Sequence, residues 1–144
     1  MSEIDLRDPA RFDHWTSFPI RFSDQDSMGH VNNVSYAAYI ETGRLLYFVD
    51  TLKAFPGIEN HFVLANLNID YVREMHFPGE ARVGTRTMRV GRSSITTGYG
   101  VFKGDICCAT ATCVNVHINL ETRRGKPFPD DLRAAMEAAL AAGP

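Results

Sequence analysis

A short run of polar side chains stands directly in front of a long apolar segment of this 144-residue sequence. The run contains Asp24, Asp26 and His30, and it ends at Asn32 and Asn33. Asparagine often caps the start of a helix, where backbone N–H groups lack acceptors and the helix dipole is positive. Such a helix start attracts negative charge, so a carboxylate beside it can act on an electrophile held there. We therefore expect this run to hold the chemistry of the protein.

Hydrophobic periodicity predicts the elements that position this run. Alternating apolar residues predict a strand from about Thr16 to Phe22, and apolar residues at helical spacing predict a helix from Val31 to about Lys53. Because this helix carries apolar or small residues on most sides, we expect other structure to wrap around it. Four further strands and a short amphipathic helix are predicted after it: Leu64 to Phe77, Ala81 to Val90, Ser94 to Phe102, Ile106 to Leu120, and Asp130 to Ala142.

The order of these elements predicts an α+β fold, in which a curled antiparallel sheet of five strands wraps around the long helix. The breaks at Pro78-Gly79, Gly91-Arg92 and Gly104-Asp105 are short enough for hairpins, which predicts an antiparallel meander. In this interpretation residues 16–144 form one domain, and residues 1–15 form an arm that is mobile or docked on a neighbour. The unpaired edge of such a sheet favours dimerisation.

Composition and charge exclude several classes of protein. A chain of 144 residues with 44% hydrophobic residues is typical of one domain with a substantial core. The formal net charge of −2 argues against a broad nucleic-acid-binding surface. Because no apolar run approaches the roughly 20 residues that span a bilayer, and the polar N-terminal sequence lacks a signal-peptide core, we expect a cytoplasmic protein without a membrane partner.

The residues that commonly bind metals do not form a recognisable metal site in the sequence. Cys107, Cys108 and Cys113 lie in a strand-like segment without zinc or redox spacing, and we expect them to be buried core thiols. The acidic loop matches the first positions of a calcium-binding EF-hand, but Ser35 stands where the final acid is required. The five histidines show no metal-binding spacing. We therefore expect no metal.

The polar run and the helix behind it read DQDSMGHVNNVSYAAYIE from Asp24 to Glu41. This segment resembles the signature DxDxxGHVNNxxYxxYxE of the 4-hydroxybenzoyl-CoA thioesterase family, whose members have the hotdog fold. The predicted element order agrees with that fold from Thr16 to about Leu120. The resemblance implies a homodimeric or homotetrameric acyl-CoA thioesterase without a cofactor, which hydrolyses a thioester to a carboxylic acid and free CoA.

The resemblance also implies roles for individual residues. In the family, the second acid of the motif attacks the thioester carbonyl or activates a water, and it corresponds to Asp26 here. The backbone N–H at the start of the central helix polarises the carbonyl, and it corresponds to that of Asn33. Relatives often contact the nucleotide end of CoA at the turn that here contains Arg92 and Ser93. A thioester suits such a site, because a thiolate leaves readily whereas the oxyanion needs preorganised donors.

The polar residues of the motif also have structural interpretations. Asp26 alternatively forms only an Asx turn, and Asp24 is expected to orient the loop through backbone hydrogen bonds. For His30 we favour a loop-fixing or substrate-contacting role over general-base catalysis, because no acid partner is evident among its neighbours. Asn32 and Asn33 are both candidate helix caps, and Asn32 is also a candidate substrate contact. Glu41 either reaches the substrate or pairs with the arginine three residues later on the helix surface.

Two other functions fit the same sequence. One is a non-catalytic protein of this fold that binds acyl-CoA or an acyl carrier, and the other is a hotdog hydratase or dehydratase, whose usual Asn-Pro context this sequence lacks. Tyr36 and Tyr39 are expected in the core. Aryl, short-chain and long-chain acyl groups, carried on CoA or on acyl carrier protein, all suit an apolar pocket between a helix and a sheet.

Overall fold

A computed structural model describes residues 3–142 of the chain. The ends of the predicted arm and domain, residues 1–2 and 143–144, lie outside the described residues. Within residues 3–142 no helix is both long enough and apolar enough to cross a membrane.

Two short 3-10 helices lie at Pro9–Arg11 and Phe22–Asp24. The strands and α-helices are β1 (His14–Pro19), α1 (Asn33–Leu52), β2 (Phe62–Tyr71), β3 (Glu80–Val90), β4 (Ser94–Lys103), β5 (Ile106–His117) and α2 (Asp130–Ala142).

The five strands form one antiparallel sheet in the order β1-β3-β4-β5-β2, and α1 packs on its inner face. This confirms the predicted α+β fold with a curled five-stranded sheet around a long helix. The predicted meander is right for β3, β4 and β5 but wrong for β2, which pairs with β5 at one edge of the sheet. The chain crosses the end of the sheet between β2 and β3, where Val31 N–H donates to Met75 O at 2.7 Å and Ile20 N–H donates to Gly79 O at 2.8 Å.

Three strands differ clearly in extent from their predicted bounds. β1 spans His14–Pro19 rather than Thr16 to Phe22, β2 spans Phe62–Tyr71 rather than Leu64 to Phe77, and β5 ends at His117 rather than Leu120. The two amides after Tyr71 both donate to the carbonyl of Cys108, at 2.9 and 3.1 Å, so they leave the regular ladder between β2 and β5. Residues 72–79 are therefore a connecting loop, called here the β2–β3 connection.

Helix α1 begins where the sequence places its cap. Asn32 is the N-cap residue, and its side-chain oxygen accepts the N–H of Val34 at 2.8 Å. Asn33 is consequently the first residue of the helix. Further along, Gly43 lets the helix approach the sheet closely, because a Cβ atom at this position would lie 2.6 Å from Cγ1 of Val83.

The side of α1 that faces away from the sheet exposes apolar side chains, so within one chain the expected wrapping of the helix is incomplete. Edge strand β2 runs beside α1, since the rings of Phe48 and Phe62 stack at 4.2 Å and the hydroxyl of Tyr71 donates to Asn33 O at 3.0 Å. β2 exposes apolar side chains as well. The exposed large aliphatic residues of these two elements, called here the open edge, are Val34, Leu45, Leu46 and Val49 of α1 with Val63 and Leu64 of β2.

Arg44 ties α1 to the sheet from inside the protein. The predicted pair of Arg44 with Glu41 forms, with Nη1 of Arg44 3.0 Å from Oε1 of Glu41. The prediction placed both side chains on the helix surface, whereas Arg44 is only 5% exposed. The guanidinium also donates from Nε to Oδ1 of Asn115 at 2.6 Å and from Nη2 to the carbonyl of Phe62 at 3.0 Å. A buried charge needs such partners, so these contacts explain why an arginine occupies the inner face of the helix.

The expected core thiols are mostly buried. Cys108 and Cys113 are buried and Cys107 is half-buried, and all three are free. Burial raises the pKa of Cys107 and of Cys113 to about 11. These thiols are therefore protonated at neutral pH and poorly suited to nucleophilic chemistry.

The N-terminal arm docks on the outer face of the chain's own sheet. Phe12 is 5% exposed and packs over Gly84, where a Cβ atom would lie 2.5 Å from Cγ of the phenyl ring. On the neighbouring strand, a Cβ atom at Gly100 would lie 2.8 Å from the carbonyl oxygen of Leu6. Glycines thus leave room for the arm on β3 and β4. The arm was expected to be mobile or docked on a neighbour, and the structure instead shows it docked on the chain's own sheet.

We expect Gly84→Ala to lower the free energy of unfolding by about 1–3 kcal/mol, because the added methyl group collides with the Phe12 ring. Urea denaturation of the variant beside the wild type measures this change. Gly57→Ala is the matched control, since no atom lies within 4 Å of a Cβ at that position. Equal stability of the Gly84→Ala variant and the wild type would contradict docking of the arm.

Candidate active site

Asp24 is a structural residue of the loop between β1 and α1, as the sequence indicated. It is 2% exposed, and its carboxylate accepts the N–H of Arg21 at 2.8 Å, the guanidinium of Arg21 at 2.9 Å and the hydroxyl of Tyr39 at 2.8 Å. Burial alone would raise the pKa of Asp24, but these hydrogen bonds outweigh it and lower the pKa below its usual value. A carboxylate with these bonds holds the loop and has little freedom to act on a substrate.

The segment from Asp26 to His30 is a closed turn. The N–H of Asp26 donates to the carbonyl of His30 at 3.0 Å, and the N–H of Gly29 donates to the carbonyl of Asp26 at 3.2 Å. Gly29 has a φ of 84°, which glycine adopts without steric cost. The Oδ1 atom of Asp26 accepts the N–H of Met28 at 2.9 Å, so the expected Asx turn is present. This bond fixes one carboxylate oxygen and leaves Oδ2 for other contacts.

The Oδ2 atom of Asp26 faces the ring of His30. Nδ1 of His30 lies 3.7 Å from Oδ2 of Asp26, and Nε2 lies 3.8 Å from Oε1 of Glu74. The side chains of Asp26 and His30 are 26% and 19% exposed, so both are partly shielded from solvent. The prediction that His30 lacks an acid partner was wrong, because the turn brings Asp26 to one ring nitrogen and the β2–β3 connection brings Glu74 to the other.

The start of α1 supplies hydrogen-bond donors next to this turn. Asn32 caps the N–H of Val34, whereas the N–H of Asn33 belongs to the first turn and has no acceptor within the helix. The positive end of the helix dipole adds to the attraction for negative charge at this point. The predicted oxyanion donor at Asn33 therefore has the helical position that such a donor needs.

A cavity of about 200 Å³ lies against the helix start. Its wall includes two tyrosines, Tyr36 and Tyr71, and burial raises the pKa of Tyr36 to about 12, so its hydroxyl keeps its proton at neutral pH. Tyr36 and Tyr39 are buried in the core as predicted. The residues that line the cavity are His30, Val31, Asn33, Tyr36, Tyr71, Val72, Arg73 and Glu74. Apolar walls with a few polar groups are typical of small-molecule sites.

The structure does not bring every candidate residue to this cavity. Glu41 lies two turns along α1 from Asn33, about 12 Å along the helix axis, and its carboxylate contacts Arg44. Arg92 and Ser93 lie in the turn after β3, whereas the Asp26 turn lies near the start of β3. Since β3 has 11 residues, the two ends are about 33 Å apart, and within one chain Arg92 and Ser93 do not join the site.

Glu74, Tyr71 and Arg73 were missed as candidate site residues. The periodicity analysis continued the second strand to Phe77, so Glu74 and Arg73 counted as strand positions. The charged pair Arg73-Glu74, which interrupts the alternation of apolar residues, was the available signal for a strand end.

Although two imidazoles and two carboxylates lie near the turn, the described part of the chain contains no group of three His, Cys, Asp or Glu that could hold a metal ion.

Known proteins similar to this chain have the same fold. A thioesterase from Thermus thermophilus, solved with coenzyme A and zinc, is 30% identical, with a TM-score of 0.79 over 91% of this chain and 97% of its own. A structure described as a predicted thioesterase from Bacillus stearothermophilus is 28% identical, with a TM-score of 0.79 over 88% of this chain and 96% of its own. Both likenesses extend over most of this chain.

The sequence comparisons agree with the structural ones. The chain is 30% identical over 121 residues to the uncharacterized protein YsmA of Bacillus subtilis, which covers 83% of this chain and 82% of that protein. The model of the thioesterase-like superfamily matches residues 20–136, a range that contains the Asp26 turn, all of α1 and the β2–β3 connection. The chain therefore belongs to the thioesterase-like superfamily.

Proposed function

We propose that this protein is an acyl-CoA thioesterase, which converts an acyl-CoA and water into a carboxylic acid and free CoA. One observation carries the proposal: His30 and Asn33, the first residue of α1, line the same cavity, and the carboxylate of Asp26 faces the ring of His30. A thioester carbonyl in this cavity would meet an oxyanion donor and an acid together. Membership of the thioesterase-like superfamily and the CoA complex of the Thermus relative support the same reaction.

In the proposed mechanism, Oδ2 of Asp26 either attacks the thioester carbonyl or takes a proton from a water that attacks it. Attack forms a C–O bond and moves an electron pair onto the carbonyl oxygen, where the N–H of Asn33 and the helix dipole stabilise the negative charge. Collapse of the intermediate breaks the C–S bond and releases the thiolate of CoA. In the nucleophilic route, water then hydrolyses the acyl–aspartate anhydride and regenerates Asp26.

His30 and Asn32 support this site in different ways. The ring of His30 lines the cavity and faces Asp26, so we assign it contact with the substrate or the attacking group. Asn32 supports the oxyanion donor indirectly, because its cap fixes the first turn of α1. The finer resemblance to 4-hydroxybenzoyl-CoA thioesterases leads us to include aryl thioesters among the candidate substrates.

We also propose that two copies of the chain pair through the open edge. Val34 of α1 is 75% exposed, and Leu45 is 50% exposed, although both are apolar and lie beside an edge strand with free backbone groups. Exposed apolar patches and unpaired strand edges together favour association with another copy of the chain. A homodimer, or a tetramer built from such dimers, would cover the side of α1 that the chain's own sheet leaves open.

If a two-fold axis next to β2 relates the two copies, residues of the partner complete the site. Strands related by such an axis run antiparallel, so the start of one β2 lies near the end of the other. Tyr71, at the end of β2, lines the cavity, and Phe62, at the start, pairs with His117, whose N–H donates to Ser93 O at 2.8 Å. The partner's Arg92 and the partner's Ser93 would then approach the cavity, where the guanidinium can bind a CoA phosphate.

Mixing two variants tests this shared site. We expect Arg92→Ala to raise KM for acyl-CoA about tenfold, the effect of one lost charged hydrogen bond, and we expect Asp26→Asn to be inactive. In heterodimers of these two variants, one site combines Asp26 of one chain with Arg92 of the other, so a fraction of the sites should show the wild-type KM. If mixing yields only the raised KM, both residues serve one site within one chain and the proposed arrangement is wrong.

Release of free thiol from a panel of acyl-CoA thioesters tests the proposed reaction. The panel runs from acetyl to palmitoyl and includes benzoyl and hydroxybenzoyl forms. The proposal predicts turnover on at least one acyl class. Binding of acyl-CoA by calorimetry without turnover on any member would overturn it in favour of a non-catalytic acyl-CoA-binding protein.

A further inference from the structure

We propose that Glu74 is a positioning residue, which holds the ring of His30 in the orientation that directs Oδ2 of Asp26 toward the cavity. The inference rests on the proposed function, because it assigns Glu74 a part in the same site. Glu74 lies on the β2–β3 connection, lines the cavity, and places Oε1 at 3.8 Å from Nε2 of His30. Asp26 faces the other ring nitrogen at 3.7 Å, so the imidazole stands between two carboxylates.

The backbone that carries Glu74 is tied to the turn that carries His30. The N–H of Val31, next to His30, donates to the carbonyl of Met75, next to Glu74, at 2.7 Å. His76, one residue further along the connection, has Nδ1 at 3.2 Å from the carbonyl oxygen of Gly29. One backbone and one side-chain hydrogen bond that flank the pair thus hold the two segments together and keep Glu74 close to His30.

The carboxylate of Glu74 serves two imidazoles. Its Oε2 atom lies 3.6 Å from Nε2 of His76, while Oε1 faces His30. A neutral imidazole has one N–H and can donate to one of the two carboxylates, whereas an imidazolium has two and can donate to both, so the two carboxylates favour the present ring plane most strongly when the ring is charged. Without Glu74 the ring keeps a charged partner on one side only and can turn away from Asp26.

The ionisable groups around His30 come from several elements. Asp26 faces it from its own turn, and the rest come from other elements. These are Tyr36 on α1, Tyr71 on β2, and Arg73, Glu74 and His76 on the β2–β3 connection. Of the carboxylates among them, Glu74 is the one outside the turn. It is 65% exposed, so solvent screens its charge and the expected effect is modest.

We expect Glu74→Gln to lower kcat about fivefold with KM unchanged, the size of effect that one partly exposed ion pair supplies. Glu74→Asp should recover part of the loss, because it restores the charge on a shorter side chain. The matched control is Asp50→Asn, which removes another exposed carboxylate paired with a histidine, His14 at 2.8 Å, on β1 at the edge of the sheet opposite to β2. This control should leave kcat unchanged.

A double-mutant cycle separates positioning from a general structural role. If Glu74 acts through His30, Glu74→Gln has no further effect on kcat in a His30→Asn background. The same fivefold loss in that background, or no loss in the wild-type background, would overturn the inference. Thermal unfolding of each variant identifies any loss that arises from instability.

A spectroscopic measurement keeps the inference testable if the proposed function fails. The ¹⁵N chemical shifts of the His30 ring nitrogens report its tautomer and hydrogen bonding without any turnover. We expect them to change in Glu74→Gln and to stay constant in Asp50→Asn. Unchanged His30 shifts in Glu74→Gln would overturn the positioning role, whereas absent thioesterase activity in the wild type with changed shifts would overturn only the proposed function.

Discussion

Asp26→Asn is expected to lower kcat for acyl-CoA hydrolysis by about 10²–10⁴-fold, with little change in KM. Asparagine is nearly isosteric with aspartate, and its side-chain oxygen can still accept the N–H of Met28, so the turn should keep its shape. What the variant loses is the charge on the second oxygen, which faces His30 and carries the proposed chemistry. Thiol release under saturating and limiting substrate measures both constants.

Asp130→Asn provides the matched control, because it removes an exposed carboxylate in the first turn of α2 and should leave kcat unchanged. Circular dichroism and thermal unfolding establish that the Asp26→Asn variant is folded. Retention of more than about a tenth of the wild-type kcat by a folded Asp26→Asn protein falls outside the range for a lost catalytic acid or base and contradicts the assigned role.

Asn115→Ala is expected to lower the free energy of unfolding by about 3–5 kcal/mol. Asn115 is 0% exposed and connects α1 with the sheet, since its Oδ1 accepts Nε of Arg44 at 2.6 Å. Its amide nitrogen donates to the carbonyl of Ile95 and to the hydroxyl of Thr97, both at 3.0 Å. Alanine leaves a buried guanidinium N–H and two buried oxygens without these partners, and water cannot readily replace them.

Urea denaturation measures the change at Asn115, and an unchanged dependence on urea concentration verifies that the two folded states are comparable. Asn60→Ala is the control, because Asn60 is exposed in the loop before β2 and its loss should change stability by less than about 0.5 kcal/mol. A loss below about 1 kcal/mol at Asn115 would contradict the view that this buried network anchors α1.

The parts of the fold that depend on local sequence were predicted well. Asn32 caps α1 through a bond to a residue two positions away, and the turn of Asp26 to His30 closes on itself. Such short-range hydrogen bonds leave a direct mark in residue type and spacing, because Asn and Asp accept nearby backbone N–H groups and Gly adopts positive φ. The same locality explains why the tight turns on either side of β4 were recognised.

The parts that depend on distant partners were predicted poorly. Nothing near β2 indicates that it pairs with β5 rather than β3, because strand pairing is decided by packing across the whole sheet. The burial of Arg44 likewise depends on Asn115, 71 residues away. Glu74 reached the site only through the crossing of the β2–β3 connection, so an analysis of neighbours along the chain could not assign it to His30.

The most direct test of the proposed site is a crystal structure of the wild-type protein with an acyl-CoA analogue in which a methylene group replaces the thioester sulfur. This ketone keeps the carbonyl and resists hydrolysis. We predict its carbonyl oxygen at about 2.7–3.1 Å from the backbone nitrogen of Asn33, the range for an oxyanion donor, with the carboxylate of Asp26 beside the carbonyl carbon. An analogue bound with its carbonyl away from the start of α1 would contradict the account.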